Sequence, residues 1–188
     1  MKFVEPIRDL KKVAQIKNML RGANKIRDLL LFELGINSAL RLSDLLSVHV
    51  RDVFDDKGSV KGLFDLKEQK TDKMNRITLT PKVKATLEEY KEIYTHVLNK
   101  DEYFLFFNSK KAPLGKEGIG RKQAWKMIDK WCKDVGINGN FGGNTLRKTW
   151  GYQARLQGIS LGIIQSKLNH SSLAVTQRYL GITMFNGW

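Results

Sequence analysis

The chain has 188 residues, of which 41% are hydrophobic and 28% charged, a balance typical of one globular domain and unlike that of a disordered chain. Its 33 Lys and Arg exceed its 19 Asp and Glu and give a net charge of +14, which makes a polyanion such as nucleic acid the first partner to consider. A single cysteine, Cys132, excludes a disulfide framework and a cysteine-based zinc site, and no apolar run approaches the roughly 18 residues of a membrane helix.

The first part of the chain has helical periodicity. Apolar residues between positions 10 and 20 recur at spacings of three and four, which predicts an amphipathic helix that begins near Pro6. A second helix is predicted to start with Asn24 as its N-cap and to end near Gly35. A shorter helical segment is expected at about 42 to 48.

The following segment alternates in polarity instead of repeating every three to four residues. This pattern predicts strands near 50 to 54, 60 to 69 and 74 to 80, with residues 70 to 73 at the tip of the hairpin between the last two. In the last strand apolar and polar residues alternate regularly, so one face of the sheet should be solvated.

Helical patterns dominate the second half, with a short buried segment at 103 to 107 and a glycine-rich loop at 139 to 143. The predicted helices of this half cover residues 81 to 98, 121 to 135, 144 to 156, about 160 to 168 and about 172 to 180. The sequence therefore predicts a mainly α fold with a small antiparallel β-sheet, of the α+β class, in a single domain over residues 1–188.

Four short motifs stand out along the chain. They are Leu40-Arg41-Leu42-Ser43-Asp44-Leu45-Leu46, Glu68-Gln69-Lys70-Thr71, Asn144-Thr145-Leu146-Arg147-Lys148-Thr149, and Leu168-Asn169-His170-Ser171-Ser172 followed by Thr176 to Leu180. In content and order they resemble the four catalytic boxes of the tyrosine recombinases, the phage-integrase family. The resemblance covers roughly residues 8 to 182, and the last motif is the most specific of the four.

The resemblance implies the catalytic fold of an enzyme that cuts and rejoins DNA without metal, nucleotide or other cofactor. Tyr179 would be the nucleophile that attacks phosphorus and forms a 3′-phosphotyrosyl link. Arg41 and Arg147 would bind the phosphate oxygens, where fixed cations stabilise the negative charge of the transition state. Lys70 would protonate the departing 5′ oxygen. His170 would bind a phosphate oxygen or assist the tyrosine.

Some neighbouring positions qualify these assignments. Asp44 is expected to hold adjacent side chains in place, and Lys73 is a rival to Lys70 at the same hairpin tip. Asn144 stands where the family generally has histidine or lysine; its carboxamide can donate a hydrogen bond but cannot exchange a proton at neutral pH, so we expect slower cleavage or another proton route. Asn169 replaces the usual glycine before the histidine, a milder change.

Basic residues are concentrated between positions 108 and 148, where ten Lys and Arg stand against three Asp and Glu. Charge alone is also compatible with a solvated surface and does not separate DNA from RNA. Together with the resemblance it predicts double-stranded DNA as the partner, bound mainly through phosphates because the basic residues are spread among polar ones. The predicted DNA-contacting residues are Lys110, Lys111, Lys116, Arg121, Lys122 and Lys148.

The resemblance also implies further protomers assembled on DNA, no membrane, and a bacterial cytoplasmic location. The free protein is predicted to be a monomer, because only nine residues follow Tyr179. The apolar residues of that tail, Ile182, Met184, Phe185 and Trp188, are expected to pack on the same domain. Family members normally have an N-terminal core-binding domain, and none precedes the catalytic motifs, so the chain is expected to be a fragment or a naturally short form.

Each candidate residue taken singly also fits an ordinary structural role. Tyr179 could be ordinary helix packing, His170 a cap, and Arg41 the partner of a surface ion pair with Asp44. For the whole chain, a regulator that kept the recombinase fold and lost turnover is one alternative, favoured by Asn144. A type IB topoisomerase-like enzyme that relaxes DNA is another, since it shares the chemistry.

Overall fold

The computed structural model describes residues 3–98 and 100–182, which form a mainly helical fold with one β-hairpin. Its helices are α1 Leu10–Gly22, α2 Ile26–Ser38, α3 Leu42–Leu46, α4 Val50–Val53, α5 Pro81–Ile93, α6 Thr95–Leu98, α7 Arg121–Asp134, α8 Thr145–Leu156, α9 Leu161–Lys167 and α10 Leu173–Leu180. The strands β1 Leu63–Lys67 and β2 Met74–Thr78 pair antiparallel, with Phe64 opposite Ile77. The predicted fold class is confirmed.

Helix α2 forms the centre of the core. It packs against α1, α5 and α8, and residues 29 to 32 are fully buried, as expected for a helix that is apolar on nearly all sides. The helix continues past Gly35, which was predicted near its end, to Ser38. A side chain at Gly35 would clash with Leu146 of α8. This close approach fixes α8, and with it the second-arginine motif, against the core.

The strand predicted at 50 to 54 is wrong, because Val50–Val53 is the one-turn helix α4. The Asp52 carboxylate accepts a hydrogen bond from the backbone N–H of His49 at 2.7 Å and forms a capping box with it. This local cap satisfies backbone donors at the helix start and outweighs the alternating polarity of the segment.

Two predicted helix starts also move for local reasons. Helix α1 begins at Leu10 and not near Pro6, because the Asp9 carboxylate accepts a hydrogen bond from the backbone N–H of Lys11 at 2.8 Å and caps the helix. Asn24 does not cap α2; its φ of 54° places it in a left-handed turn before the helix.

The helix predicted from Pro81 to Leu98 is divided at Tyr94, whose φ of −110° and ψ of 42° end α5. The Tyr94 ring packs against Phe107 with ring centroids 5.3 Å apart, so a tertiary contact accompanies the break. Phe107 belongs to the segment 103 to 107, whose predicted burial is confirmed for residues 105 to 107. Both strands lie inside their predicted ranges and are shorter, with alternating burial along each.

The C-terminal helices α8, α9 and α10 pack on one another through a second, smaller apolar cluster. Its buried members are Ala39, Ile164, Leu168 and Leu180. Ile182 packs against this cluster as predicted, whereas Met184, Phe185 and Trp188 lie outside the described residues. Within residues 3–98 and 100–182, no helix has both the length and the apolar character needed to span a bilayer.

Candidate active site

One open cavity, of about 1000 Å³, brings together residues from distant parts of the chain. They come from the start of α3, the hairpin tip, the start of α8, the loop between α9 and α10, and α10 itself. All six predicted catalytic side chains line it: Arg41, Lys70, Asn144, Arg147, His170 and Tyr179. Their individual roles stay predictions.

Arg147 is buried beneath the cavity and organises its floor. Only 2% exposed, it donates from Nη1 to the carbonyl of Ala39 and from Nη2 to the carbonyl of Leu168, both at 2.5 Å. Ala39 lies two residues before Arg41, and Leu168 lies two residues before His170, so one guanidinium fixes both segments. Burial lowers the pKa of Arg147, but an arginine remains charged, and it has further N–H groups besides the two that donate to these carbonyls.

Arg41 is held by Glu68, and not by Asp44 as in the surface ion-pair alternative. Arg41 Nη1 lies 2.6 Å from Glu68 Oε2, and Glu68 is completely buried. Burial raises the pKa of the Glu68 carboxyl, but hydrogen bonds from Thr71, Asn75 and Arg41 outweigh this and leave the pKa below its ordinary value. The carboxylate is therefore charged at neutral pH and holds the guanidinium at the cavity edge.

Asp44 contacts the hairpin tip from below. It is fully buried, and its Oδ1 accepts a hydrogen bond from the backbone N–H of Gln69 at 2.9 Å. Its Oδ2 is buried without a hydrogen-bond partner among the described residues. Asp44 thus fixes the residue next to Lys70. Lys70 lines the cavity and Lys73 does not, which favours Lys70 among the two rivals.

His170 stands edge-on to the Tyr179 ring, with ring centroids 4.8 Å apart and an interplanar angle of 72°. Its Nδ1 lies 3.1 Å from Thr176 Oγ1, which itself donates to the carbonyl of Ser172 at 3.3 Å. A proton on Nδ1 satisfies both contacts and leaves Nε2 as an acceptor. Burial, together with the charges of Arg147 and Arg41, lowers the pKa of His170 to about 4.

The Tyr179 hydroxyl is buried and makes no hydrogen bond of normal geometry among the described residues. Burial raises the pKa of this phenol, and the nearby charges of Arg147 and Arg41 partly counter the increase. At neutral pH the hydroxyl is therefore protonated, and attack on phosphorus requires a proton acceptor. The imidazole of His170 beside it is neutral at this pH.

Five of the six predicted DNA contacts lie at the surface. Arg121 lines the cavity, Lys110 and Lys122 line an adjacent groove with Lys126 and Lys130, and Lys111 and Lys116 are exposed. This groove holds about 630 Å³ and lies along α7. Its four lysines form a basic surface next to the cavity.

The sixth residue, Lys148, is a correction to the sequence-based prediction. It is only 4% exposed, and its ammonium lies 3.4 Å from the ring centroid of Phe3 and 4.7 Å from that of Tyr179. Burial, with the charge of Arg8, lowers its pKa to about 8. Lys148 therefore packs against the Tyr179 ring, in a position unsuited to direct contact with DNA.

Three other residues at or near the site were given no role in the sequence-based prediction. Glu68 follows Phe64 and Leu66 at every second position, and all three side chains lie on the inward face of the hairpin. A charged residue at an inward-facing position could have indicated a buried ion pair. Trp125 lines the cavity and lies over Gly142, where any side chain would clash with its indole. Lys167, on α9, donates hydrogen bonds to Asn75 and Arg76 of the hairpin. Nothing in the sequence indicates partners 91 or 92 residues away.

The low pKa of His170 predicts a pH-dependent stability. In the unfolded chain the imidazole takes up a proton near pH 6.5, whereas in the fold it does so only near 4, so stability falls as pH falls through this window. Discounting for partial exposure, we expect a loss on the order of 2 kcal/mol in the free energy of unfolding. Urea unfolding at pH 7, 5.5 and 4 should show this loss in the wild type and not in His170→Gln; equal pH dependence of the two would contradict it.

No group of three or more His, Cys, Asp or Glu side chains within the described part of the chain could hold a metal ion. The candidate site instead consists of cationic donors around an aromatic hydroxyl. Positive groups around one phosphate can stabilise its transition state directly, which is the chemistry that the geometry supports.

Solved structures of the same fold are those of tyrosine recombinases. The crystal structure of XerA recombinase matches 96% of this chain and 62% of its own, with a TM-score of 0.74 and 18% identity. A lambda integrase dimer bound to a COC′ core site matches all of this chain and 63% of its own, with a TM-score of 0.69 and 18% identity. The fold is that of a tyrosine recombinase catalytic domain.

Sequence comparison gives the family. The model of the phage integrase family matches residues 9–184. The probable integrase/recombinase YoeC of Bacillus subtilis (strain 168) is 36% identical over 182 residues, which are 97% of this chain and 92% of YoeC. Tyrosine recombinase XerC of Thermodesulfovibrio yellowstonii is 28% identical over 163 residues, 84% of this chain and 51% of XerC. The chain belongs to the phage integrase family; it spans nearly all of YoeC and about half of XerC.

Proposed function

We propose that this protein is a site-specific recombinase that cleaves and rejoins double-stranded DNA through a 3′-phosphotyrosyl intermediate. The observation that supports it most directly is the meeting of Tyr179, two guanidinium groups, His170 and Lys70 at one cavity beside a basic groove. Membership of the phage integrase family supports the same reaction.

In the proposed reaction, Tyr179 Oη attacks the scissile phosphorus and its proton passes to Nε2 of His170. The bond from phosphorus to the 5′ oxygen breaks, and that oxygen takes a proton from the Lys70 ammonium. Arg41 and Arg147 bind the non-bridging oxygens as charge develops on them. Attack by the 5′ hydroxyl of another strand reverses the sequence, releases Tyr179 and restores the phosphodiester, so no external energy source is consumed.

Asn144 fits this scheme as a hydrogen-bond donor. It is exposed at the cavity and occupies the N-cap of α8, but its side chain makes no capping hydrogen bond, which leaves the carboxamide available to a phosphate oxygen. A carboxamide cannot take up the tyrosine proton, and this favours His170 as the acceptor. The departure from the usual histidine thus points to a changed proton route with turnover retained.

We propose further that the protein acts as an assembly on DNA, is a monomer when free, and works in the bacterial cytoplasm where its substrate lies. Related structures include XerH bound to difH substrate and a lambda integrase tetramer bound to a Holliday junction. Light scattering of the free protein should give the monomer mass of 21.6 kDa. A stable oligomer without DNA would contradict the proposed free state.

The function can be tested without knowing the target site. A pool of random-sequence duplexes, each with one nick, is incubated with the protein in EDTA, and DNA that stays attached to protein after denaturation is amplified and selected again. A nick close to the cleaved phosphate lets the short product diffuse away and traps the covalent species. We expect enrichment of one sequence, joined through its 3′ phosphate to the peptide that contains Tyr179.

The two alternatives give different results. A regulator without turnover would bind DNA from the pool and yield no covalent species after repeated selection, which would end the enzyme proposal. A topoisomerase-like enzyme would form the adduct and relax supercoiled plasmid, and two plasmids bearing the selected sequence would give no recombinant products.

The burial of Lys148 yields a prediction about DNA affinity. Lys122 lies on the basic groove, so Lys122→Gln should remove one phosphate contact and reduce the slope of log K against log salt by about 1. Lys148→Gln, which removes the same charge from a buried position, should leave the slope unchanged. Titration of labelled duplex at several salt concentrations measures both slopes; a loss of slope in Lys148→Gln would restore it as a direct contact.

A further inference from the structure

Glu68 lies where the first-arginine motif and the hairpin meet. Its side chain is completely buried, and both carboxylate oxygens are occupied. Oε2 accepts from Arg41 Nη1 at 2.6 Å and from Thr71 Oγ1 at 2.8 Å, and Oε1 accepts from Asn75 Nδ2 at 2.9 Å. One carboxylate thus joins the arginine to the hairpin tip and to strand β2.

The backbone of Glu68 closes the same tip. Its N–H donates to the carbonyl of Lys73 at 2.9 Å, and its carbonyl accepts from the N–H of Asp72 at 2.9 Å. Lys70 lies within this turn. The position of Lys70 relative to Arg41 therefore depends on one residue, which holds the turn through its main chain and the guanidinium through its side chain.

The network extends to the segment before His170. Lys167, at the end of α9, donates to Asn75 Oδ1 at 2.7 Å and to the carbonyl of Arg76 at 2.9 Å. Because Lys167 binds the oxygen of the Asn75 amide, the amide nitrogen is directed to Glu68. The orientation of the amide is thereby fixed from both sides.

A glutamine cannot reproduce this arrangement. The site presents three donors to two oxygens, and a carboxamide has one oxygen and one nitrogen that is itself a donor. Its NH₂ would face either the Arg41 guanidinium or the Asn75 amide, and Asn75 cannot turn without losing Lys167. Since buried ion pairs contribute little net stability, a geometric role accounts for the charged network better than a stabilising one.

We propose that Glu68 is a positioning residue that fixes the Arg41 guanidinium and the Lys70 hairpin relative to each other, so that both act on the same phosphodiester. The proposal rests on the proposed recombinase function. Its consequence is specific: loss of Glu68 should impair protonation of the leaving oxygen as well as stabilisation of the phosphate.

The test uses two versions of the selected nicked duplex, one with the natural 5′ bridging oxygen at the scissile phosphate and one with sulfur. Sulfur leaves as a thiolate and needs no proton, so it bypasses Lys70. On the oxygen substrate at saturating DNA, Glu68→Gln should slow adduct formation about 100-fold, the size of effect expected when a catalytic group is misplaced. On the sulfur substrate much of that loss should be recovered, as it is in Lys70→Ala.

Asp72→Asn is the matched control. It makes the same chemical change at the same hairpin tip, but Asp72 is exposed, its carboxylate pairs only with Lys67, at 2.9 Å, among the residues that the structure describes, and its φ of 59° is one that asparagine tolerates. Its rates on both substrates should equal those of the wild type. If Glu68→Gln does not fold, Thr71→Val removes a single contact to the carboxylate and should show a smaller loss with the same recovery on sulfur.

Two results would overturn the proposal: a folded Glu68→Gln protein that cleaves the oxygen substrate at the wild-type rate, or one that is slowed equally on oxygen and sulfur. Failure of the recombinase function itself is separate, because the wild type would then form no adduct with either substrate.

Discussion

Tyr179→Phe is expected to abolish the covalent protein–DNA species, with a loss of at least about 10³-fold in the rate of adduct formation, because no nucleophile remains. DNA affinity should be unchanged, since the phenyl ring keeps the edge-on contact with His170. The variant should also be as stable as the wild type or slightly more stable, because the deleted hydroxyl is buried and makes no hydrogen bond of normal geometry among the described residues. Denaturing gels and thermal unfolding measure the two effects.

Tyr152→Phe provides the control. Tyr152 is a tyrosine of α8 whose ring lies 5.0 Å from the Arg8 guanidinium carbon, and it does not line the cavity. This variant should form the adduct at the wild-type rate. An adduct that persists in Tyr179→Phe would assign the nucleophile to another residue.

Arg147→Lys is expected to lose both activity and stability. Lysine keeps the charge, but its three donors are on one nitrogen, which cannot replace the two separate Nη atoms that bind the carbonyls of Ala39 and Leu168 and also reach a phosphate. We expect the rate of adduct formation to fall by about 10²- to 10³-fold, as for the loss of a fixed donor to a developing charge. The free energy of unfolding should fall by about 2–4 kcal/mol, since two buried carbonyls lose their partner.

Arg155→Lys is the matched substitution in the same helix. Arg155 is exposed in the last turn of α8, and its replacement should change neither rate nor stability. Adduct kinetics and urea unfolding of both variants show whether the loss of rate and stability is specific to the buried arginine. Normal stability in Arg147→Lys would show that the two carbonyl contacts do not hold the cavity floor together.

Local patterns predicted much of the secondary structure. The helices at residues 121 to 134 and 145 to 156 have a regular apolar stripe, and their predicted bounds were close to the observed ones; the helix at 10 to 22 was also predicted, with its start placed too early. Predictions failed where the decisive interaction was a single contact. Asp52 turns the expected strand at 50 to 54 into a helix through one cap, and the contact between Tyr94 and Phe107 accompanies the break in the helix expected to run to Leu98.

The candidate site shows the same contrast between what local sequence patterns predict and what they do not. Motif order was sufficient to select six of the residues that line the cavity, because each lies in a short stretch of characteristic neighbours. Sequence alone did not reveal the burial of Lys148. This residue belongs to a basic region of the sequence, but in the fold it packs against Tyr179. Burial depends on which elements cover a residue, and a count of local charge contains no information about that.

The sequence by itself determined the fold class, the family resemblance and the set of candidate catalytic residues, since these depend on periodicity and on residue types at short spacing. Only the tertiary structure decided the partners: Glu68 for Arg41, Thr176 for His170, and two backbone carbonyls for Arg147. Hydrogen bonds act over about 3 Å, and the chain separates Arg147 from Ala39 by 108 positions, so folding alone brings such groups within reach.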